Sequence, residues 1–147
     1  MQFEIRKCER SEWAKFRRYH YLNSDLANAS VCYGLYDKNK IIGFIGILHF
    51  PHPINKKIKR VTRLVILPDY QGIGLGTLFL ERIATIYKEK GFEFRIITTA
   101  KNLIQSLYKN KKWILSRYSK NKKNGNGKAS LNKTVRFSVK TASFLYK

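Results

Sequence analysis

Apolar positions along the chain fall into short β-like runs separated by helical stretches. The segment FEIRKC (3–8) alternates and predicts a first strand. Ser11 and Glu12 can open a helix carrying Trp13, Phe16 and His20 at roughly helical spacing, and NSDLANA (23–29) predicts a second helical turn. VCYGLYD (31–37) and IIGFIGILHF (41–50) are β-branched apolar runs joined by DKNK, which reads as a hairpin, and PHPINKKIK (51–59) is left for a loop. RVTRLVIL (60–67) predicts a strand ended by Pro68, and TLFLERIATIYKEKG (77–91) a helix with Leu78, Ile83, Ile86 and Tyr87 in period and Gly91 as its cap. FEFRIITTA (92–100) returns as a strand, NLIQSLYKNKK (102–112) as a short basic helix, and WILSRYS (113–119) and TVRFSVKTASF (134–144) as the last two strands. Between those two lies a long basic loop, KNKKNGNGKASLNK.

This order predicts an α/β (α+β) architecture: a mixed sheet of six to seven strands, helices on both faces, and one strand–turn–helix crossover in the middle. No internal repeat or linker interrupts it, so residues 1–147 are expected to form a single domain.

Charge changes the picture more than composition does. Thirty Lys and Arg face nine Asp and Glu, a net charge of +21, and no acidic residue follows Glu93. A field of that sign attracts nucleic-acid phosphates or anionic lipid and repels small polyamines. The two cysteines, Cys8 and Cys32, have neither metal-ligand nor disulfide-framework spacing, which suits a reducing compartment. With no apolar run long enough to span a bilayer and no leader pattern, the expectation is a cytoplasmic protein, monomeric or weakly dimeric.

The chemistry concentrates in Leu67-Pro68-Asp69-Tyr70-Gln71-Gly72-Ile73-Gly74-Leu75-Gly76-Thr77. Three glycines at the entrance of a helix leave backbone N–H groups uncovered where the helix dipole favours an anion. The Gly-x-Gly-x-x-Gly spacing of dinucleotide-binding turns is absent, and no Gly-Lys-Ser/Thr follows. The run closely resembles motif A of the GNAT acyltransferase superfamily, Gln/Arg-x-x-Gly-x-Gly/Ala, and the order of elements fits that fold. The resemblance implies acetyl-CoA or another acyl-CoA as cofactor. Its pyrophosphate would lie on the amides of Gly72, Ile73, Gly74, Leu75, Gly76 and Thr77 after Gln71, and its pantetheine arm along Leu64, Val65 and Ile66. It also implies a coenzyme contact at Asn102 and a tyrosine acid at Tyr108.

Acyl transfer needs an unprotonated amine, an oxyanion donor and an acid for the departing thiolate. Many GNAT relatives place a glutamate on the fifth strand as base, whereas here that strand reads RIITTA, with Thr98 and Thr99 able only to donate or relay. His20 is the alternative base, Tyr21 an acceptor contact, and Arg63 a cation beside the reaction centre. His49 and His52 with His20 could be drawn as a three-histidine set, but loop spacing gives no metal site; a metal is not expected.

The early HYL, the central glycine turn and the threonine-rich fifth strand together resemble phage Mom-type DNA-modification proteins, grouped with GNATs. That resemblance implies the N6 amine of adenine in DNA as acceptor, and a link to iron that this sequence does not support. Arg17, Arg18, Lys56, Lys57, Lys59, Arg60, Lys120, Lys122 and Lys123 are the candidate phosphate contacts, and Trp13, Tyr19 and Tyr21 could stack on an extruded base. Two other readings use the same sequence: acetylation of a protein or aminoacyl-tRNA amine, and a non-catalytic basic nucleic-acid binder on a GNAT scaffold.

Overall fold

The computed structural model describes residues 2–19, 25–120 and 140–147. The chain falls into two compact units, Met1–Ile96 and Ile97–Lys147. His20, Tyr21, Lys122 and Lys123 lie outside the described residues.

In the first unit β1 (Phe3–Lys7), β2 (Val31–Asp37), β3 (Lys40–His49), β4 (Ile58–Ile66) and β5 (Glu93–Thr98, which runs on into the second unit) lie in that order across the sheet. The first four pair antiparallel, and β5 joins β4 in parallel. The β2–β3 turn puts Lys38 and Asn39 at φ 48° and 71°, the left-handed pair a tight hairpin requires. Crossover from β4 to β5 runs through α1 (Leu75–Glu89), which buries Phe79, Leu80, Ile83 and Tyr87. Tyr87 stacks on Phe94 at 5.8 Å, and its hydroxyl lies 3.1 Å from that of Tyr33.

On the opposite sheet face the expected α-helix is instead two 3-10 helices, Arg10–Lys15 and Arg17–Tyr19. Phe16 N–H donates to the Trp13 carbonyl, a bond over three residues. That tighter winding sets residues three apart on one line, so both rings reach Phe44, at 5.2 Å for Trp13 and 5.8 Å for Phe16. Residues 25–29 are loop and turn rather than helix. Arg63 and Arg10 take the carbonyls of Asp25 and Leu26 as acceptors, which diverts them from helical bonding.

The second unit holds α2 (Lys101–Lys109) and the antiparallel pair β6 (Trp113–Lys120) and β7 (Lys140–Tyr146). Trp113 packs on Tyr146 at 4.9 Å. Strands paired both antiparallel and, at β4–β5, parallel, with helices on both faces of the first unit's sheet, make this the mixed α/β class that the hydrophobic pattern implies.

Candidate coenzyme and acceptor site

The site begins with a defect in β4. Pairing with β3 shifts between Gly46 and Ile47, from Gly46↔Arg63 to Ile47↔Val61, so Thr62 has no partner opposite. Thr62 is a β-bulge, and a bulge bends its strand and increases its twist. At that same point the parallel ladder to β5 ends, at Val61↔Ile96. From Thr62 to Ile66, β4 therefore has β3 on one side and, among the described residues, no strand on the other.

Strand alternation says which backbone groups face that open edge. Leu67 N–H donates to the Ile42 carbonyl at 2.8 Å, turning Leu67 toward β3 and, two residues back, Val65 with it. Leu64 and Ile66 then present N–H and C=O outward. The Ile66 carbonyl is held by Gln71 Nε2 at 2.7 Å and the Thr62 carbonyl by Arg63 Nη1 at 2.6 Å. Between them the Leu64 amide is left as the group an extended amide-bearing ligand can pair with.

Just beyond, the chain makes a 3-10 turn at Pro68–Tyr70 and enters the glycine bend. Gly72 and Gly74 both stand at φ 84°, and Gly74 is the left-handed N-cap of α1. A side chain on either would touch nothing within 4 Å, so the bend is bare rather than walled in. The first intrahelical bond runs from Leu78 N–H to the Gly74 carbonyl at 3.1 Å. The N–H groups of Leu75, Gly76 and Thr77 ahead of it have no acceptor among the described residues, and no acidic side chain occupies the first turn. Unpaired amides, a positive dipole end and open space together define an anion site.

Gln71 is expected among the anion-binding residues, but its carboxamide is spent on Ile66. It ties the bend to the open strand edge, a role only the folded arrangement reveals. Val65 is likewise turned inward, its side chain in the core with Phe44, Trp13 and Phe16.

The sheet face covered by the 3-10 helices carries cations. Gly46↔Arg63 and Phe44↔Val65 put Arg63 on the face of the 3-10 helices, and across the bulge Arg60 returns to that face opposite Leu48 and Arg95. Arg60 lies 4.9 Å over the Phe50 ring and Lys59 4.8 Å over Phe92. Arg95 is bridged to Glu93 at 2.6 Å. Lys56 donates to the His52 carbonyl at 2.8 Å, and Lys57 is exposed. Arg18 lies 4.7 Å over Tyr19 and bonds its hydroxyl.

Other candidates divide. His52 Nδ1 accepts the N–H groups of Ile54 at 3.1 Å and Asn55 at 3.0 Å, so it holds its own loop together, and no metal-binding cluster occurs among the described residues. Burial, then Cys32 and Glu12, push the Cys8 thiol up to about 12; burial raises Cys32 as well, so neither is a nucleophile near neutral pH. In the second unit Thr98 Oγ1 accepts the Ala100 N–H at 3.1 Å at the start of α2, Thr99 is half-buried, Asn102 is exposed and Tyr108 is 69% exposed. Lys120 falls in β6. No helix among the described residues is long and apolar enough to cross a membrane.

A bare glycine bend at the start of a crossover helix, beside a strand split open by a bulge, is an arrangement for holding a phosphate-bearing coenzyme. Residues 1–109 match the model of the acetyltransferase (GNAT) family, and the chain belongs to that family. Its fold is similar to that of the ribosomal-protein-S18-alanine N-acetyltransferase of Escherichia coli, with a TM-score of 0.69 and 13% identity over 99% of this chain and 93% of that one. An acetyltransferase of Bacillus subtilis in complex with CoA gives 0.66 and 12% over 99% of both chains. Spermidine/spermine N-acetyltransferase of Vibrio cholerae gives 0.65 and 14%, covering 98% of this chain and 91% of that one. No curated protein matches the sequence.

Proposed function

We propose that the protein transfers an acetyl group from acetyl-CoA to an amine carried on a nucleic acid. The bare Gly72–Thr77 bend carries the coenzyme half of this reading. Amides there with no protein acceptor suit a pyrophosphate, and the CoA complex of the Bacillus subtilis relative supports the assignment. Bound acetyl-CoA supplies an activated thioester. The chain's own part is to hold the pantetheine amides against the Leu64 backbone. Tyr108, the acid implied by the family motif, would protonate the departing thiolate, and the proton that the amine nitrogen loses on forming the amide would restore it. Asn102 is the accompanying coenzyme contact.

No carboxylate other than Glu93 stands on β5, and Glu93 is paired with Arg95. An acceptor that arrives uncharged, such as the exocyclic amine of a base, needs no strong base. That chemistry, together with the net charge of +21 and the arginines on the acceptor face, favours a nucleic-acid acceptor over a polyamine, which the same field repels. Adenine N6 in DNA is its most specific form. His20 and Tyr21 are the candidate acceptor contacts, and Thr99 the candidate relay.

The test is mass spectrometry of total nucleosides from DNA and RNA of cells expressing the protein. An acetylated nucleoside that disappears when Gly74 is replaced supports the proposal. Unmodified nucleosides, alongside acetylation of peptides or polyamines by the pure protein, would refute it.

A further inference from the structure

Three arginines converge on one loop that offers them little countercharge. Arg63 donates to the Asp25 carbonyl from Nε at 3.1 Å and from Nη2 at 2.5 Å. Arg10 Nη2 donates to the Leu26 carbonyl at 3.1 Å and reaches Asn28 Oδ1 at 3.4 Å. Arg17 Nη2 lies 3.6 Å from the Asp25 carboxylate, a pair whose side chains are 52% and 85% exposed. Of the three guanidinium groups, that of Arg17 meets the Asp25 carboxylate, whereas Arg63 and Arg10 donate to neutral oxygens. Between this loop and the first 3-10 helix lies a depression of about 250 Å³, floored by Trp13 and flanked by Arg10, Arg17 and Asp25.

A guanidinium bonded to a carbonyl has made a weaker choice than it could. Charge-assisted, two-pronged bonds to an anionic oxygen pair are shorter and roughly twice as strong. We infer that this depression is a phosphodiester-binding site in which the Asp25 carboxylate holds the place taken by a backbone phosphate of the acceptor. The inference rests on the nucleic-acid reading above and says where on the chain that acceptor is gripped. Its position supports the assignment: Arg63, which holds the backbone carbonyl of Asp25 at the rim of the depression, follows the bulge at which the β4–β5 ladder ends, and so ties the loop that bears Asp25 to the open strand edge. Phosphate contacts of this kind set register without reading sequence.

The experiment uses the whole chain, a fluorescein-labelled single-stranded oligodeoxynucleotide of mixed sequence, and anisotropy titrations over a range of salt. Asp25→Asn keeps the backbone carbonyl that Arg63 uses and removes the exposed charge that pairs with Arg17. It should tighten oligonucleotide binding about five-fold, the size of one unit-charge repulsion at contact in water. Arg17→Ala should weaken binding and lower the slope of log K against log salt by about one. CoA titrations of both variants should match the parent, which excludes misfolding as the cause. If the parent binds but Asp25→Asn binds no tighter, or Arg17→Ala keeps the full slope, the site is wrong and the nucleic-acid reading stands. If the parent fails to bind even at low salt, both fall. Polyglutamate binding as tightly, with the same response to both variants, would overturn the phosphodiester assignment.

Discussion

Replacing Gly74 by alanine isolates the energy of one backbone conformation. Its φ of 84° is left-handed, and an added Cβ would meet nothing within 4 Å, so no steric repacking enters. The left-handed conformation costs an L-residue about 1–2 kcal/mol. Stiffening the unfolded chain returns about 0.4–1 kcal/mol, which leaves a net loss near ~1 kcal/mol. Gly76, two residues on, provides the control. It is inside α1, and its Cβ would lie 3.7 Å from Ile66 Cγ1, an ordinary contact. Gly76→Ala therefore keeps the gain, about 0.4–1 kcal/mol, without the strain. The two variants should differ by about 1.5–2 kcal/mol, or roughly 5 °C in Tm for a chain of this length. Urea and thermal unfolding measure this directly. Calorimetry with CoA then reads the function of the bend. If relaxation at Gly74 costs one amide bond to a charged phosphate, affinity falls about ten-fold or more, whereas Gly76→Ala binds as the parent does. Equal destabilisation by the two substitutions would refute the conformational argument, and parental CoA binding by Gly74→Ala would refute the anion site.

Gln71→Ala removes the 2.7 Å bond to the Ile66 carbonyl, and should lower stability by about 0.5–1.5 kcal/mol and raise KM for acetyl-CoA more than it changes kcat; an unchanged KM would show that the bend does not depend on this tie. Cys8 titrates near 12 in the fold against an ordinary 9.0, so as pH rises the unfolded chain loses that proton first. The stability it contributes is whole below about pH 9 and is lost toward pH 12, and urea unfolding of Cys8→Ala across that window should show a shallower slope than the parent. Tyr108→Phe should leave unfolding unchanged, because the side chain is 69% exposed, and reduce kcat about a hundred-fold; an unchanged rate would remove it as the acid.

Local signals are legible in the sequence because their causes are local. DKNK supplies the left-handed residues of its hairpin, β-branched runs supply β2 to β4, and the bend at Gly72 and Gly74 needs φ values that glycine alone adopts readily. What the sequence concealed was set by partners far along the chain. Thr62 carries no mark of a bulge, being neither glycine nor next to proline; it becomes one because β3 and β4 shift register around it. The stretch at Ser11 has helical spacing, yet two rings three residues apart that both reach Phe44 favour a 3-10 winding. Nothing in the sequence marks Asp25 or Arg10 as a site residue, since the contact that gives Asp25 its meaning comes from Arg63, 38 residues away.

These long-range features share one location, and that bears on how the activity divides between sequence and fold. The glycine bend holds a phosphate wherever it is placed at a helix start, so its chemistry can be read from one line of sequence. An acceptor site has to be assembled: the bulge at Thr62 opens the edge of β4, and the same irregularity leaves Arg63 beside a loop that only one carboxylate neutralises. Proteins of the same fold at 13% and 14% identity include a ribosomal-protein-S18-alanine N-acetyltransferase and a spermidine/spermine N-acetyltransferase, so the shared scaffold does not choose the acceptor. Selection must then come from side chains on the acceptor face. A polyamine enzyme requires acidic groups there to gather a cationic amine, whereas this chain sets Arg60, Arg63 and Arg95 on that face with Glu93 already paired. If charge selects the acceptor, adding carboxylates at Arg60 and Arg95 should suppress binding of the oligonucleotide while leaving the CoA titration as it was.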